Sequence, residues 1–338
     1  MSFNRLETDD FVVSADSITA GLFTDSRTAT LSTFFTSSTQ TAASSGDYYL
    51  NVFSDSANNQ LEFAIAYGNK EGSGSEAFDS AVVGKSPSST NYGQYRNLVL
   101  GDENADFSFG GITASDFYAI SIDRNRYKES LFPGSLTLEL SGSDGKPVLS
   151  LTDNSQVVSS VQFNDAGRVF QLVSGSAGTV ATGAGGSTLG YSANQGSYGF
   201  FLPDISTLLL NPLAISESAG IETSAGTSDN FTNYRTLFNA ISGSGAANFV
   251  LNSSETITSD FIFVRPRSSQ FNYSENPSFI SGSTGEVIYD SFVNNPQTYI
   301  TTVGLYNDNS ELLAVAKLSK PLKKDFTKEA LIRVKLDF

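Results

Sequence analysis

Short apolar segments separated by turn-forming residues run through most of this 338-residue chain and limit the folds open to it. In chain order they include DYYLNVF (47–53), QLEFAIAYGN (60–69), RNLVLGD (96–102), FYAISIDRNRY (117–127), GSLTLELSG (134–142) and DAGRVFQLVSG (165–175). Short strands that alternate with turns are typical of β-sandwiches and barrels. We therefore predict a mainly β protein with two or more antiparallel β-sandwich or barrel-like modules.

The end of the sequence predicts a β-hairpin followed by one more strand. Two apolar runs, Tyr299–Tyr306 and Glu311–Leu318, flank the residues Asn307–Ser310. Asn and Asp tolerate left-handed backbone and bond to their own main chain, so these four residues predict the turn of the hairpin. Pro321 is expected to end the second arm, and Ala330–Phe338 alternates in period two as a third strand. The prediction is a C-terminal three-stranded meander.

Helical spacing is clear in only one segment. Apolar residues follow a helical period after an N-cap at Ser228 or Asp229 and before a stop at Gly243, namely Phe231, Tyr234, Leu237, Phe238 and Ile241. The segment Pro203–Asn211 is predicted as a second, shorter helix. With one or two short helices, the expected organisation has four parts: an extended N-terminal arm (1–45), an antiparallel β domain (46–173), a Gly/Ser-rich loop with short helices (174–245) and a C-terminal β domain (246–338).

The residue types that are missing exclude several kinds of chemistry. The chain has no Cys and no His, so it has no thiol nucleophile, no Cys/His zinc site and no Ser-His-Asp triad. A glycosidase with two carboxylates remains open, and its candidate acids are Asp116, Asp123, Glu129 and Asp290. No sequence feature selects a pair among these acids. We predict that the protein is not an enzyme and that it has no cofactor and no metal site.

The acidic balance of the chain argues against two classes of partner. The formal net charge is −15 at pH 7. Such a charge repels phosphate backbones and anionic lipid surfaces, so we expect neither nucleic-acid binding nor membrane insertion. No apolar window in the sequence reaches the length that a membrane-spanning helix needs.

Two clusters of basic residues stand out because positive charge is scarce elsewhere. The first contains Arg124, Arg126 and Lys128, and the second contains Arg265 and Arg267. Arg can make planar, two-pronged contacts with carboxylates, so both clusters are candidate contacts with an acidic neighbouring subunit. The alternative is that these side chains are solvated or paired locally.

Several segments together resemble a known class of proteins. The stretch VGLYNDNSELLAVAKL (303–318) resembles a C-terminal module of structural proteins in contractile-tailed bacteriophages. The segments SGDYYLNVF, EFAIAYGNKEGSGS, YGQYRNLVLGD and SIDRNRYKESLFPGSL are similar to virion structural proteins of T-even-type marine phages. The likeness spans Gly46–Phe338 and brings no catalytic residues with it.

The resemblance implies a non-enzymatic virion subunit in the baseplate or tail, present in repeated copies around an axis. Its expected partners are other tail or baseplate proteins, fibres and further copies of itself. Together with the two basic clusters, the hairpin residues Tyr306, Asn307 and Asp308 are then candidate interface residues. Two alternatives stay open, a receptor-binding module for host surface glycans and a decoration protein of the head or neck.

Overall fold

The computed structural model describes residues 4–22, 35–38, 41–42, 46–53, 61–74, 86–143, 145–182, 187–225, 230–243, 249–274 and 276–337. Its strands are β1 Phe11–Gly21, β2 Phe35–Ser38, β3 Thr41–Ala42, β4 Gly46–Asp47, β5 Tyr49–Phe53, β6 Leu61–Asn69, β7 Phe107–Phe109, β8 Ile112–Ala114, β9 Asp116–Ile122, β10 Ser130–Leu131, β11 Thr137–Leu140, β12 Leu149–Asp153, β13 Gln162–Asn164, β14 Gly167–Ser176, β15 Thr179–Val180, β16 Gly199–Leu202, β17 Thr207–Leu210, β18 Phe249–Val250, β19 Asn252–Val264, β20 Thr298–Tyr306, β21 Leu312–Lys324 and β22 Ile332–Asp337. These residues also form four α-helices, α1 Pro87–Leu100, α2 Pro212–Ala219, α3 Asn230–Gly243 and α4 Asp290–Asn294, and two 3-10 helices, Thr8–Asp10 and Arg124–Arg126. Strands account for 44% and helices for 16%, which confirms the mainly β fold class, although more helices are present than predicted.

The chain forms two compact units. The larger unit is Ile18–Glu255, and the smaller combines Met1–Ser17 with Thr256–Phe338. The predicted boundaries after residues 45, 173 and 245 do not follow this division. The physical reason is that β16 and β17, which lie within the predicted loop-and-helix segment, pair with β14 and β9 and so belong to the same sheet as the preceding strands.

An antiparallel sheet of twelve strands organises the larger unit. The strand order is β18-β11-β12-β14-β16-β17-β9-β6-β5-β2, with β13 and β15 attached to β14. The sheet curls into a half-barrel. Strands distant in sequence are therefore neighbours, and one surface of the sheet collects residues from several parts of the chain.

Both faces of this sheet are covered. Along β9, Tyr118 and Ile120 enter one apolar cluster, which also contains residues of α2 and α3. Phe117 and Ala119 enter a second cluster, which contains residues of α1 and of the β7–β8 hairpin. Successive residues of a strand point to opposite faces, so a strand covered on both sides carries apolar residues without interruption.

This double burial overturns the predicted helix at Pro203–Asn211. The segment instead turns after β16 and forms β17, which pairs with β16 through Phe201↔Leu208 and with β9 through Leu209↔Ala119. All four residues of β17 are buried. An apolar run of this length fits a buried strand as well as a helix, and burial on both faces favours the strand.

The helix α1 replaces the strand expected at residues 96–102. Ser86 is the N-cap and forms a capping box with Ser89, while Pro87 occupies the first helical turn. Gly101 ends the helix with a left-handed φ of 64°. These are ordinary signals for the start and stop of a helix.

The C-terminal prediction is correct for the hairpin and wrong for the meander. β20 and β21 pair from Tyr306↔Leu312 to Thr298↔Lys324, so β21 continues past Pro321. Residues Ile332–Asp337 form a strand as expected, but this strand pairs with β19 rather than with the hairpin. Pro321 is tolerated because the β20–β21 ladder has a register shift between Ile300 and Thr302, and no Pro321 partner appears in it.

Candidate assembly surface

The smaller unit has little buried apolar core. The hairpin β20–β21 packs one face against the β19–β22 pair, and the buried cluster consists of Ile262, Val303, Leu305 and Val334. Most of the large apolar side chains that are exposed among the described residues nevertheless lie in this unit. Burial of apolar surface is the main stabilising contribution to a folded domain, so this unit leaves much of its apolar surface available to a partner.

The hairpin has an exposed apolar face, which we call the outer face. Val303 and Leu305 point inward, so their neighbours Gly304 and Tyr306 point outward. Opposite them, Val315 pairs with Gly304 and Leu312 pairs with Tyr306. The exposed fractions are 40% for Tyr306, 52% for Leu312 and 58% for Val315. The adjacent Leu313, at a register shift, is 68% exposed.

The predicted turn at the tip of the hairpin is confirmed. The carboxamide oxygen of Asn307 accepts hydrogen bonds from the backbone N–H groups of Asn309 at 3.0 Å and Glu311 at 2.8 Å. The amide nitrogen of Asn307 donates to the Glu311 carboxylate at 2.6 Å. Asn307 therefore organises the turn, and Asp308 lies exposed at its tip.

The first basic cluster is engaged within its own unit. The Arg124 guanidinium donates to the carbonyl oxygens of Tyr127 and Lys128, both at 2.6 Å, and lies over the Tyr127 ring. Lys128 pairs with Glu255 at 2.7 Å between Nζ and Oε2. These contacts correspond to the local-pairing alternative, and an interface role for these residues stays a prediction.

Arg126 belongs to a buried ion pair. Its Nε lies 2.7 Å from Oε2 of Glu62, whose side chain is only 2% exposed. Burial raises the pKa of Glu62, and the positive charge of Arg126 partly opposes that shift. A second nitrogen of Arg126 donates to the carbonyl of Leu22 at 3.3 Å. Removing either partner would leave the other charge buried and unpaired, which is strongly destabilising. Arg126 therefore contributes to the stability of the fold.

The second basic cluster lies in the smaller unit, next to the start of β1. Arg265 pairs with Asp10 at 3.1 Å and keeps a 60% exposed side chain. The backbone N–H of Arg267 donates to the side-chain oxygen of Gln270 at 3.0 Å. An interface role for Arg265 and Arg267 stays a prediction.

Strand β1 is a long edge. It borders β19 and is the last strand on that side of its sheet among the described residues. Phe11, Val12 and Val13 are each about half exposed, and because they are consecutive they lie on both faces of the strand. An uncovered edge strand is a template for pairing with another chain. The part of the predicted arm at 23–34 lies outside the described residues, and its contact with a neighbour stays a prediction.

The candidate acids Asp116 and Asp123 are too far apart to act as a glycosidase pair. Asp116 is the first residue of β9, and Asp123 directly follows its last residue. Seven residues of extended chain, at roughly 3.3 Å per residue, place them about 23 Å apart. Glycosidase pairs are separated by about 5–10 Å. Asp123 caps the 3-10 helix by accepting from the Asn125 backbone N–H at 2.9 Å. Glu129 lies in the loop that follows in the larger unit, whereas Asp290 begins α4 in the smaller unit.

Asp116 has an environment that makes stability depend on pH. Its carboxylate accepts a hydrogen bond from the Tyr67 hydroxyl at 3.0 Å, and burial raises its pKa above the ordinary value of 3.8. The folded state therefore binds this proton more tightly than the unfolded chain does. The resulting stability is present at low pH and is lost as the pH rises through the raised pKa.

We expect Asp116→Asn to be more stable than the parent at pH 7, because the amide retains an acceptor for Tyr67 without a partly buried charge. The difference in free energy of unfolding should shrink as the pH falls and vanish below about 3.8, where the parent is also neutral. Urea titrations at several pH values measure it. A difference that stays constant over this range would contradict the assignment.

A buried lysine that sequence reasoning missed holds the base of the hairpin. Lys324 is 0% exposed, and its Nζ donates to the carbonyl of Ser268 at 2.9 Å, the side-chain oxygen of Asn272 at 2.9 Å and the carbonyl of Asp325 at 3.0 Å. The amide nitrogen of Asn272 donates to the same Ser268 carbonyl at 2.6 Å. The ammonium group therefore joins the 268–272 loop to the end of β21.

Other classes of site receive little support in the described part of the chain. No group of three or more Asp or Glu residues there is arranged to hold a metal ion. No helix among these residues is long and apolar enough to span a membrane. Comparison with known proteins gave no match to any family model, curated protein or solved structure.

Proposed function

We propose that the protein is a non-enzymatic structural subunit of a bacteriophage virion, located in the baseplate or tail. It assembles in symmetric copies and contacts neighbouring tail proteins or fibres. The class of particle comes from the sequence resemblance of residues 303–318 and of the segments before them. The same resemblance leaves the head or neck as the alternative location.

The main support for the assembly role is that the smaller unit buries few of its apolar side chains. It buries a cluster of four apolar residues while Tyr306, Leu312, Leu313 and Val315 remain exposed on one face. A contiguous apolar face of this kind on a soluble protein marks an interaction surface. Partner subunits that cover it would add the burial that the unit lacks on its own.

Symmetric assembly would repeat the contact made by this apolar face in every copy. In a cyclic assembly every copy presents the same patch to its neighbour, so one modest contact is repeated around the axis. Repetition also raises the overall strength of attachment, since each further contact forms within an assembly that is already joined. The edge strand β1 offers a second contact of a different kind, through main-chain hydrogen bonds.

The test is to locate the protein in purified virions. Particles are separated into head and tail fractions, each fraction is quantified by mass spectrometry, and labelled antibody is imaged by electron microscopy. We expect enrichment in the tail fraction and labels at the tail end. Labels at the head or neck would overturn the placement alone, and absence from virions would overturn the proposed function.

A further inference from the structure

The larger unit contains a pocket that the assembly role does not use. Its volume is about 350 Å³, at the lower end of the roughly 300–1,000 Å³ range of small-molecule sites. The β7–β8 turn, the 154–162 segment, β14 and the 191 loop meet there. Its polar lining residues are Ser108, Asn154, Ser160, Gln162, Gln171 and Tyr191.

The lining is polar but carries no charge. Hydroxyl and carboxamide groups dominate it, and the apolar contribution is limited to Val158, Val169 and the Tyr191 ring. A phosphate or carboxylate ligand would find no cation there, in a chain whose net charge is −15. A purely apolar ligand would leave the amides without partners. The chemistry that remains is that of a neutral ligand rich in hydroxyl groups.

Two of the lining amides are fixed in position. The side-chain oxygen of Asn154 accepts from the Gln171 backbone N–H at 3.0 Å, and that of Gln171 accepts from the Ser197 hydroxyl at 2.6 Å. Their oxygens are thus engaged, which leaves the N–H groups of both amides as donors. Donors held in place before binding reduce the entropy lost when a ligand is bound.

The remaining polar groups are available to a ligand. Within the described residues, the side chains of Ser108, Ser160, Gln162 and Tyr191 make no hydrogen bond to protein. Hydroxyl and amide groups both donate and accept, as sugar hydroxyls do. The Tyr191 ring adds an aromatic surface next to them, suited to the C–H face of a sugar.

The wall at the β7–β8 turn is backbone rather than side chain. Gly110 has a left-handed φ of 59°, and a Cβ at this position would lie 2.6 Å from the Ser197 backbone nitrogen. The N–H of Ser197 also donates to the Phe109 carbonyl at 3.3 Å. The turn is therefore held against the loop before β16, and it keeps one side of the pocket rigid.

From this convergence of uncharged, partly preorganised polar groups around an aromatic ring, we propose that the pocket binds a neutral saccharide. Asn154 and Gln171 would donate to sugar oxygens, while Gln162, Ser108 and the Tyr191 hydroxyl would exchange hydrogen bonds with sugar hydroxyls. The site lies wholly within the larger unit. It is independent of the outer face, so either proposal can fail without the other.

The experiment screens the purified chain against immobilised neutral oligosaccharides of glucose, galactose, mannose and N-acetylglucosamine, with sialylated and phosphorylated glycans and short peptides for comparison. The strongest neutral hit is then titrated by calorimetry. We expect saturable binding to neutral glycans. Gln162→Ala and Tyr191→Phe should each weaken binding by about tenfold, the loss expected for one hydrogen bond.

A blocking variant and matched controls make the outcome decisive. Ser160→Trp places a large ring at an exposed position of the lining and should abolish binding. Gln94→Ala, on the exposed side of α1, and Tyr299→Phe, in the smaller unit, should bind as the parent does. Binding that survives Ser160→Trp, a preference for anionic glycans or peptides, or no saturable binding by the folded parent would each overturn the proposal.

Discussion

Lys324→Met should destabilise the smaller unit by about 1–3 kcal/mol. The substitution keeps a long apolar side chain but removes the donor that serves Ser268, Asn272 and Asp325. The Ser268 carbonyl keeps the Asn272 amide as a donor, and the Asp325 carbonyl keeps the Lys328 N–H. The Asn272 side-chain oxygen is left without a donor, which costs about 1–3 kcal/mol. Because the group is fully buried, water reaches these acceptors only if the loop moves away from β21.

Hydrogen exchange measured by mass spectrometry is the suitable readout, since a chain with two compact units need not unfold in one step. Exchange should accelerate in the 265–274 loop and in β20, while the twelve-stranded sheet keeps its protection. The matched control is Lys323→Met, which changes the exposed neighbouring lysine and should leave exchange unaltered. Equal acceleration in both variants would show that the buried hydrogen bonds are not responsible.

The second large effect concerns assembly. We expect the double substitution Leu313→Asp and Val315→Asp to abolish incorporation into particles, while the isolated chain stays folded. Burying each of these side chains at an interface contributes about 1.5–3 kcal/mol, so losing both lowers an association constant at least a hundredfold. Two carboxylates placed in an apolar contact add a desolvation cost.

Sedimentation of the free protein and the yield of the subunit in particles measure this effect. Both positions are more than half exposed, so the unfolding curve of the variant should match that of the parent. The conservative control Val315→Thr keeps the strand preference of a β-branched residue and should assemble nearly as well. Normal incorporation of the double Asp variant would remove the outer face from the assembly surface.

The sequence predicted those parts of the fold that depend on local chemistry. The hairpin tip follows from Asn307, and α3 follows from its apolar period, although its proposed caps at Ser228 and Asp229 lie outside the described residues. Helix α1 could also have been found, because Ser86, Pro87 and Gly101 are standard start and stop signals. The apolar run Leu98–Leu100 inside that helix fits a short strand equally well, which is why the sequence alone predicts a strand there.

The predictions that were wrong, and the features that were missed, concern segments whose positions depend on partners distant in sequence. β22 looks like the next strand of a meander, yet it pairs with β19, which lies some seventy residues earlier in the sequence. Lys324 stands in an ordinary run of lysines, and only the position of the 268–272 loop makes it a buried donor. The polar pocket likewise combines segments from residues 108 to 191, each of which looks like a solvated turn.

The discontinuous smaller unit has a consequence for the order of events during synthesis. Residues 18–255 leave the ribosome as one stretch and can fold before the rest of the chain exists. The smaller unit cannot be completed before β22 is made, because β22 pairs with β19. A chain interrupted before β22 therefore carries a folded larger unit and a hairpin whose inner apolar face lacks its contact with Val334. Such a product would expose both faces of the hairpin, so joining a neighbour through the outer face alone requires that synthesis has passed β22.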